Sequence, residues 1–248
     1  MTTALGRVLV VLPALNEADS VGAVLERVRE QGLPACVVDD GSTDATAEVA
    51  RAAGATVLQL PLNLGVGGAL RCGFRYAVRS GYDVVVQVDA DGQHDPASVQ
   101  MLLDQMQATG ADMVVGSRFA LPEDAYSTGR ARRLAMRVLA MRASHSARRR
   151  ITDATSGLRA IRRPLLDEFA RNYPVEYLGD TVEAMVIAGR RGAVIEECPV
   201  AMTQREAGRS SAGVGASMWY VLRVLLATEL MRRRRSRRAP LPRGTGRP

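Results

Sequence analysis

The 248-residue chain contains no lysine; all 33 of its basic residues are arginine. That excludes any chemistry resting on a lysine, such as a Schiff base or the lysine of a phosphate-binding loop. Aromatic residues make up only 4% of the chain, with a single tryptophan. So few rings do not suit a protein that stacks bases on aromatic platforms. The three cysteines, Cys36, Cys72 and Cys198, are odd in number and far apart, with neither a CxxC nor a Cys/His spacing for zinc. They read as small core residues in a reducing compartment. The N-terminus lacks the charged region, apolar run and small-residue cleavage site of a secretory leader.

What is present is enough for a folded domain. Apolar residues are 47% and charged residues 24%, and a chain of this size buries a full core without disulfides or metals. The net charge of +7 is not spread over the chain. Residues 232–248 hold eight arginines and no acid, and removing those eight leaves −1 for residues 1–231. A near-neutral body thus carries a basic arm of the kind that attracts phosphates, whether of nucleic acid or of anionic lipid.

Short apolar strands alternate with amphipathic helices through residues 7–119. RVLVVL (7–12) reads as a buried strand ending at Pro13. Val21, Val24, Leu25 and Val28 then fall on one helical face. ACVVDD (35–40) and ATVLQL (55–60) are further strands, separated by a helix from Thr43 to Gly54. A glycine-rich turn, Asn63–Gly68, opens the next helix. DVVVQVDAD (83–91) is a strong central strand, Asp95-Pro96 starts a helix, and ADMVVGSRF (111–119) is another strand. The second half is less regular. Residues 129–150 form an arginine-rich helix, 156–163 a strand, 164 onward a helix, 180–191 a helix, and 193–205 an extended segment before a small, polar loop at 206–217.

This alternation predicts an α/β fold with a doubly wound, mostly parallel sheet and helices on both faces. Ligands of such sheets bind beyond the carboxyl ends of the strands. The polar clusters Asn16-Glu17, Asp39-Asp40, Asp89 to Asp91 and Ser117-Arg118 all fall there. Asp89, Asp91 and Gln93 follow a buried strand, with Gly92 permitting a tight turn. Two nearby carboxylates repel unless a cation neutralises them. Mg²⁺ or Mn²⁺ does so, taking oxygens from one or two carboxylates and from substrate phosphates. A diphosphate is the natural substrate for such a site.

Residues 219–231 (WYVLRVLLATELM) are apolar at ten of thirteen positions. As a helix they span roughly 20 Å, short of the ~30 Å hydrocarbon core. Trp219 at one end and four consecutive arginines at the other suit a membrane-surface anchor; docking on the fold or on a partner is the equal alternative. The domain division is therefore a catalytic unit over 1–211 and an apolar helix with basic tail over 212–248.

The string PALNE (13–17), VDDGSTDAT (38–46), NLGVGGALRCGF (63–74), VDADGQHDP (88–96), VGSRF (115–119), DATSGLRAIRR (153–163) and QREAGRSS (204–211) resembles the inverting glycosyltransferases of family 2. Within that family it resembles the dolichol-phosphate mannosyltransferase-like, polyprenyl-phosphate branch. The segments occur in family order over residues 7–211, and DxDGQHDP with SGLRA is the most specific part.

The resemblance implies a GT-A fold, a nucleotide-sugar donor and Mg²⁺ or Mn²⁺. Pro13, Leu15 and Glu17 match positions that meet the nucleotide, and Val38 and Asp40 match the base and ribose pocket. Asp89, Ala90, Asp91 and Gln93 match the diphosphate site, with Asp89, Asp91 and Gln93 as metal ligands. Arg118 matches an arginine beside the donor and acceptor phosphates. Arg132 or Arg133, with Ser156, falls on the acceptor side. Arg205 and Arg209 lie in the loop that closes over the donor. Asp91, Arg118 and Arg205 are the residues that resemblance makes catalytic. His94 falls inside the acidic motif, where packing of the turn is its ordinary role, and His145 has no assigned role. Two positions depart from the pattern: Val66 and Ser211 stand where many relatives have lysine. The membrane helices of many relatives are not seen in the sequence, which implies a small separate membrane subunit. The expected location is cytoplasmic, peripheral on the inner face of the cell membrane.

For a polyprenyl-phosphate acceptor the nucleophile is already an anion and needs no strong base. A hydroxyl acceptor would need one. Asp153, Asp180 and Glu183 are the candidates, although a helix cap or surface pair is the ordinary role of such residues. Rival readings are a nucleotidyltransferase, which the glycine-free PALNE loop disfavours, and a non-enzymatic, arginine-tailed nucleic-acid- or membrane-binding protein. The neutral body argues against nucleic acid as the partner.

Overall fold

A computed structural model describes residues 2–92, 98–117, 140–141, 144–145, 149–175 and 180–200. The strands are β1 (Thr2–Thr3), β2 (Gly6–Ala14), β3 (Ala35–Asp39), β4 (Thr56–Gln59), β5 (Val84–Gln87), β6 (Met113–Ser117), β7 (Arg159–Arg162) and β8 (Ile195–Pro199). The helices are α1 (Ala18–Glu30), α2 (Thr46–Ala52), α3 (Val66–Arg79), α4 (Ser98–Thr109), α5 (Leu165–Asn172) and α6 (Asp180–Arg190). The expected arginine-rich helix over 129–150 and the loop at 206–217 lie largely or wholly outside the described residues, as does the apolar segment 219–231.

The main sheet runs β4-β3-β2-β5-β7-β6-β8, with β1 paired antiparallel to β2 at its start. Every strand on that path runs the same way except β7, which is antiparallel to both β5 and β6. One rim of the sheet therefore collects the carboxyl ends of six strands together with the loop that enters β7. This is how Ser156 and Gly157, far along the chain, reach the strand-end acids.

Strands buried on both faces read as continuous apolar runs, and β2 shows why. Val8, Val10 and Leu12 pack with Val21, Val24, Leu25 and Val28 of α1 and Leu102 and Met106 of α4. Leu9 and Val11 face the other way, with Leu70 and Phe74 of α3 and Leu166 and Phe169 of α5. Each such side chain contributes about 1.5–3 kcal/mol when fully buried. Two of the chain's three phenylalanines meet here. Phe74 and Phe169 lie 6.2 Å apart, and Tyr173 stands edge-on to both at 5.1 and 5.2 Å. The scarce aromatic residues thus fasten α3 to α5.

Strand β7 begins at Arg159 rather than at 156, which leaves Ser156 and Gly157 on the loop before it, and four further boundaries differ from expectation for reasons visible in the structure. β2 continues through Pro13 to Ala14. Val10 N donates to Pro34 O on the β3 side, so Pro13 directs its nitrogen toward β5, where no bond is needed for β2 to pair with β3. The same proline shortens β5. Val88 N donates to Val11 O, and the next rung would require an N–H that Pro13 lacks. Pairing of β5 accordingly stops at Gln87, so Asp89 and Asp91 stand on a turn rather than on a strand. Third, α2 begins at Thr46 rather than Thr43, because Asp44 uses its carboxylate to tie loops together instead of joining the first turn. Fourth, α3 begins at Val66, inside the expected turn.

Candidate active site

The rim is built from loops that brace one another. Asn16, after β2, has φ 54 and is the one non-glycine residue with positive φ among the described residues. Asparagine tolerates this left-handed conformation better than bulkier residues. The turn lets Asn16 Oδ1 accept from Thr43 N at 2.9 Å while Asn16 N donates to Ser42 Oγ at 2.9 Å. Glu17 N donates to Thr46 Oγ1 at 2.8 Å, and Ala18 N donates to Asp44 Oδ2 at 3.2 Å. Burial pushes the Asp44 carboxyl up. Hydrogen bonds from the Thr46 hydroxyl and the Thr46 and Ala18 amides outweigh that, so its pKa is lowered. The PALNE and DGSTD loops are therefore one interlocked unit.

The next loop is held by Asp40, whose Oδ1 accepts from Leu64 N at 2.7 Å. Desolvation raises the Asp40 pKa; amides of Leu64 and Gly65 oppose this, and the charge of Asp39 adds to it. Gly41, at φ 79, allows the close approach: a Cβ there would stand 3.0 Å from the backbone of Leu62 and Asn63. Asp39 is fully buried. Its Oδ1 accepts from Ser42 N at 3.0 Å, while its Oδ2 is buried without a hydrogen-bond partner among the described residues. Gln87 Oε1, at the end of β5, is likewise an unpartnered buried acceptor. Both open acceptors sit at strand ends on this rim.

On the other side, the loop entering β7 hangs from Glu197 of β8. That carboxylate accepts from Thr152 N at 2.8 and 2.9 Å, Thr152 Oγ1 at 2.8 Å and Asp153 N at 2.8 Å. Thr152 Oγ1 also pairs with Ser117 Oγ at 2.7 Å. Arg159 is buried completely, and its guanidinium donates only into backbone carbonyls in the bonds resolved here: Ser156 O (2.9 Å), Thr181 O (3.0 Å) and Ala154 O (3.3 Å). It pins the turn before β7 to the start of α6.

The expected site residues separate as follows. Pro13 lies near the end of β2, and Leu15 and Glu17 lie on the loop leaving it, with Leu15 40% exposed. Glu17 accepts from Ser20 Oγ at 2.8 Å. Val38 is fully buried in the core against α3, on β3 between β2 and β4, so it lies beneath the rim rather than on its surface. Asp89 and Asp91 are half-buried on the turn after β5, flanking the buried Ala90. Ser156 is buried, with Oγ accepting from Leu158 N at 3.3 Å. Asp153 is buried, accepting from Thr155 N and Oγ1, and Glu183 is buried on α6 rather than paired at the surface. Gln93, His94, Arg118, Arg132, Arg133, Arg205 and Arg209 lie outside the described residues. His145 is in a helical position and has no resolved partner role in the site. Gly157, Arg159 and Glu197 are contributors that sequence reasoning missed; their roles depend on contacts across the sheet, and only the S-G dipeptide before β7 hinted at one.

Oxygen donors fit a hard divalent cation. Asp89 and Asp91 offer carboxylates, and among the described residues no group of three His, Cys, Asp or Glu side chains assembles. The remaining positions would fall to Gln93, water and donor phosphates, as is usual for Mg²⁺-type sites.

A mostly parallel sheet that gathers acids and interlocked loops at its carboxyl rim defines a GT-A-type α/β domain. The sequence pattern of "Glycosyl transferase family 2" matches residues 9–169, and the chain belongs to that family; it is a nucleotide-sugar-dependent glycosyltransferase. It is 32% identical to an undecaprenyl-phosphate mannosyltransferase of Micrococcus luteus over 84% of this chain and 88% of that one. It is 33% identical to a polyprenol monophosphomannose synthase of Mycolicibacterium smegmatis, over 82% and 80%. These relatives place it in the polyprenyl-phosphate branch. In shape it is similar to glucosyl-3-phosphoglycerate synthase from Mycobacterium tuberculosis, solved with Mn²⁺, uridine diphosphate and phosphoglyceric acid. The TM-score is 0.70 at 25% identity, covering 90% of this chain and 78% of that one.

Proposed function

We propose that the protein transfers a sugar, with inversion, from a nucleotide sugar to a polyprenyl phosphate. The observation that carries this reading is the convergence on one rim of the Asp89–Asp91 turn, the interlocked PALNE and DGSTD loops, and the turn before β7. The relatives' lipid-phosphate acceptors support the acceptor class.

In this reading an acceptor phosphate oxygen attacks the anomeric carbon. The bond from that carbon to the donor's diphosphate breaks, and the nucleoside diphosphate leaves with the electron pair. A bound Mg²⁺ or Mn²⁺ would supply charge neutralisation to the leaving diphosphate, held by Asp89, Asp91 and Gln93. Pro13, Leu15 and Glu17 border the nucleoside, with Val38 packed beneath them, and Asp40 keeps the Leu64 turn in place beside it. Ala90 lets the turn lie close against the core. Arg118, Arg205 and Arg209 match guanidinium to phosphate oxygens. Arg132 or Arg133, with Ser156, forms the acceptor side. Two of the three candidate bases, Asp153 and Glu183, are buried, and an acceptor that is already anionic needs none of them.

We assign the basic tail to an anionic membrane surface, with 1–211 as catalytic unit, 212–248 as docking element, and a separate membrane subunit as partner. Among the described residues no helix is long and apolar enough to cross a membrane, in keeping with a peripheral position on the inner face. The test is transfer of radiolabelled sugar from a panel of UDP- and GDP-sugars into the organic phase, with polyprenyl phosphate or the corresponding polyprenol as acceptor. Label reaching only the phosphate supports the reading; label reaching only the alcohol, or neither, refutes it.

A further inference from the structure

Gly157, on the loop entering β7, lies against the acidic turn after β5. A Cβ at Gly157 would fall 2.6 Å from Asp89 Cγ and inside contact distance of both carboxylate oxygens, its three nearest atoms. The Asp89 carboxylate therefore rests on the bare backbone of Gly157, in space that any other residue would fill. That backbone is a firm support. Ser156 O accepts from Arg159 Nε, Ala154 O from Arg159 Nη2, and Leu158 O accepts from Gly116 N at 2.9 Å on β6. The loop's other end hangs from Glu197.

We propose that Gly157 is a positioning residue: its missing side chain, on a turn clamped by Arg159 and Glu197, fixes where the Asp89 carboxylate stands relative to Asp91 and so sets the affinity of the acidic turn for a divalent cation. The inference rests on the reading of that turn as a cation site. The contrast with Gly67 shows why the effect is functional rather than structural. A Cβ at Gly67 would collide with the Pro174 carbonyl, which is backbone and cannot yield cheaply. At Gly157 the colliding atoms are the far end of a side chain, Asp89 Cγ and its two carboxylate oxygens, which can turn about χ1 and χ2 where a backbone carbonyl cannot, so the carboxylate moves while the fold stays.

The experiment is Mn²⁺ titration by electron paramagnetic resonance of the full chain, alone and with UDP or GDP, for wild type, Gly157→Ala, Asp89→Ala and the double variant. Melting temperatures are measured alongside. We expect Gly157→Ala to bind Mn²⁺ about 10–100-fold more weakly, the usual scale for residues that orient a ligand, with its melting temperature within about 2 °C of wild type. In the Asp89→Ala background the same substitution should add no further loss, because partners in one contact are not additive. Equal Mn²⁺ affinity in Gly157→Ala, or a full extra loss in the double variant, overturns the positioning role alone. Unfolding of Gly157→Ala also overturns it, since the turn and not the carboxylate would then have yielded. Absence of Mn²⁺ binding by the wild type under all three conditions takes down the cation-site reading and this inference together.

Discussion

Replacing Glu197 with alanine removes the acceptor of three donors at once: Thr152 N, Thr152 Oγ1 and Asp153 N. The Thr152 hydroxyl keeps Ser117 Oγ at 2.7 Å, so the net loss is two backbone amides. Each part-buried group left unsatisfied costs about 1–3 kcal/mol, which gives about 2–6 kcal/mol for Glu197→Ala. Glu197→Gln keeps one acceptor oxygen but turns an NH₂ toward an N–H; about half that loss is expected. Urea unfolding reads the change as a lower midpoint at constant slope. Amide exchange locates it, with Thr152 and Asp153 losing protection before the β2 and β5 amides do. A loss below about 0.5 kcal/mol for Glu197→Ala, typical of an ordinary surface substitution, would refute the claim that β8 suspends this loop.

Asp40→Asn keeps an acceptor for Leu64 N and removes a buried charge. A carboxyl whose folded pKa is raised lends stability below its unfolded pKa and loses it as pH rises through the folded value. Near pH 7 the variant should therefore be at least as stable as wild type, and less stabilised on acidification; a pH series of urea melts decides. Burial pushes the Cys36 thiol up to about 12 and raises that of Cys198, so a thiol reagent at pH 8 should label half-exposed Cys72 first; prior labelling of Cys36 would contradict its burial. Arg159→Lys should destabilise the chain by about 1–3 kcal/mol, because one ammonium on a flexible stem cannot span three carbonyls as the planar guanidinium does. An unchanged urea midpoint would count against that clamp.

The layered α/β order was legible because a strand buried on both faces must be a run such as Val8–Leu12, and because Val21, Val24, Leu25 and Val28 mark a single helical face; all four are buried. The antiparallel insertion of β7 was not, since nothing local in RAIR says that it lies between β5 and β6. The end of β5 was hidden for a similar reason: Pro13 terminates the ladder from a different strand. Thr43 and Asp44 look like a helix start, yet Thr43 N donates to Asn16 and only Asp44 Oδ1 serves the local Thr46, Oδ2 accepting from Ala18, far away in sequence. The acids at 89 and 91 were readable as chemistry. Gly157 and Glu197 were not, because a missing side chain and one more glutamate acquire meaning only from what they touch.

The donor site is the central claim, and a thermal-shift panel tests it most directly. Nucleoside diphosphates and nucleotide sugars are added with and without Mn²⁺ to wild type and to Asp91→Ala. A ligand at 100 times its dissociation constant adds about 2.7 kcal/mol, or about 5–10 °C for a chain of this size. The account predicts a Mn²⁺-dependent shift with one nucleotide that disappears in Asp91→Ala. A well-folded wild type that shifts with no nucleotide, or a shift that survives intact in Asp91→Ala, would contradict it.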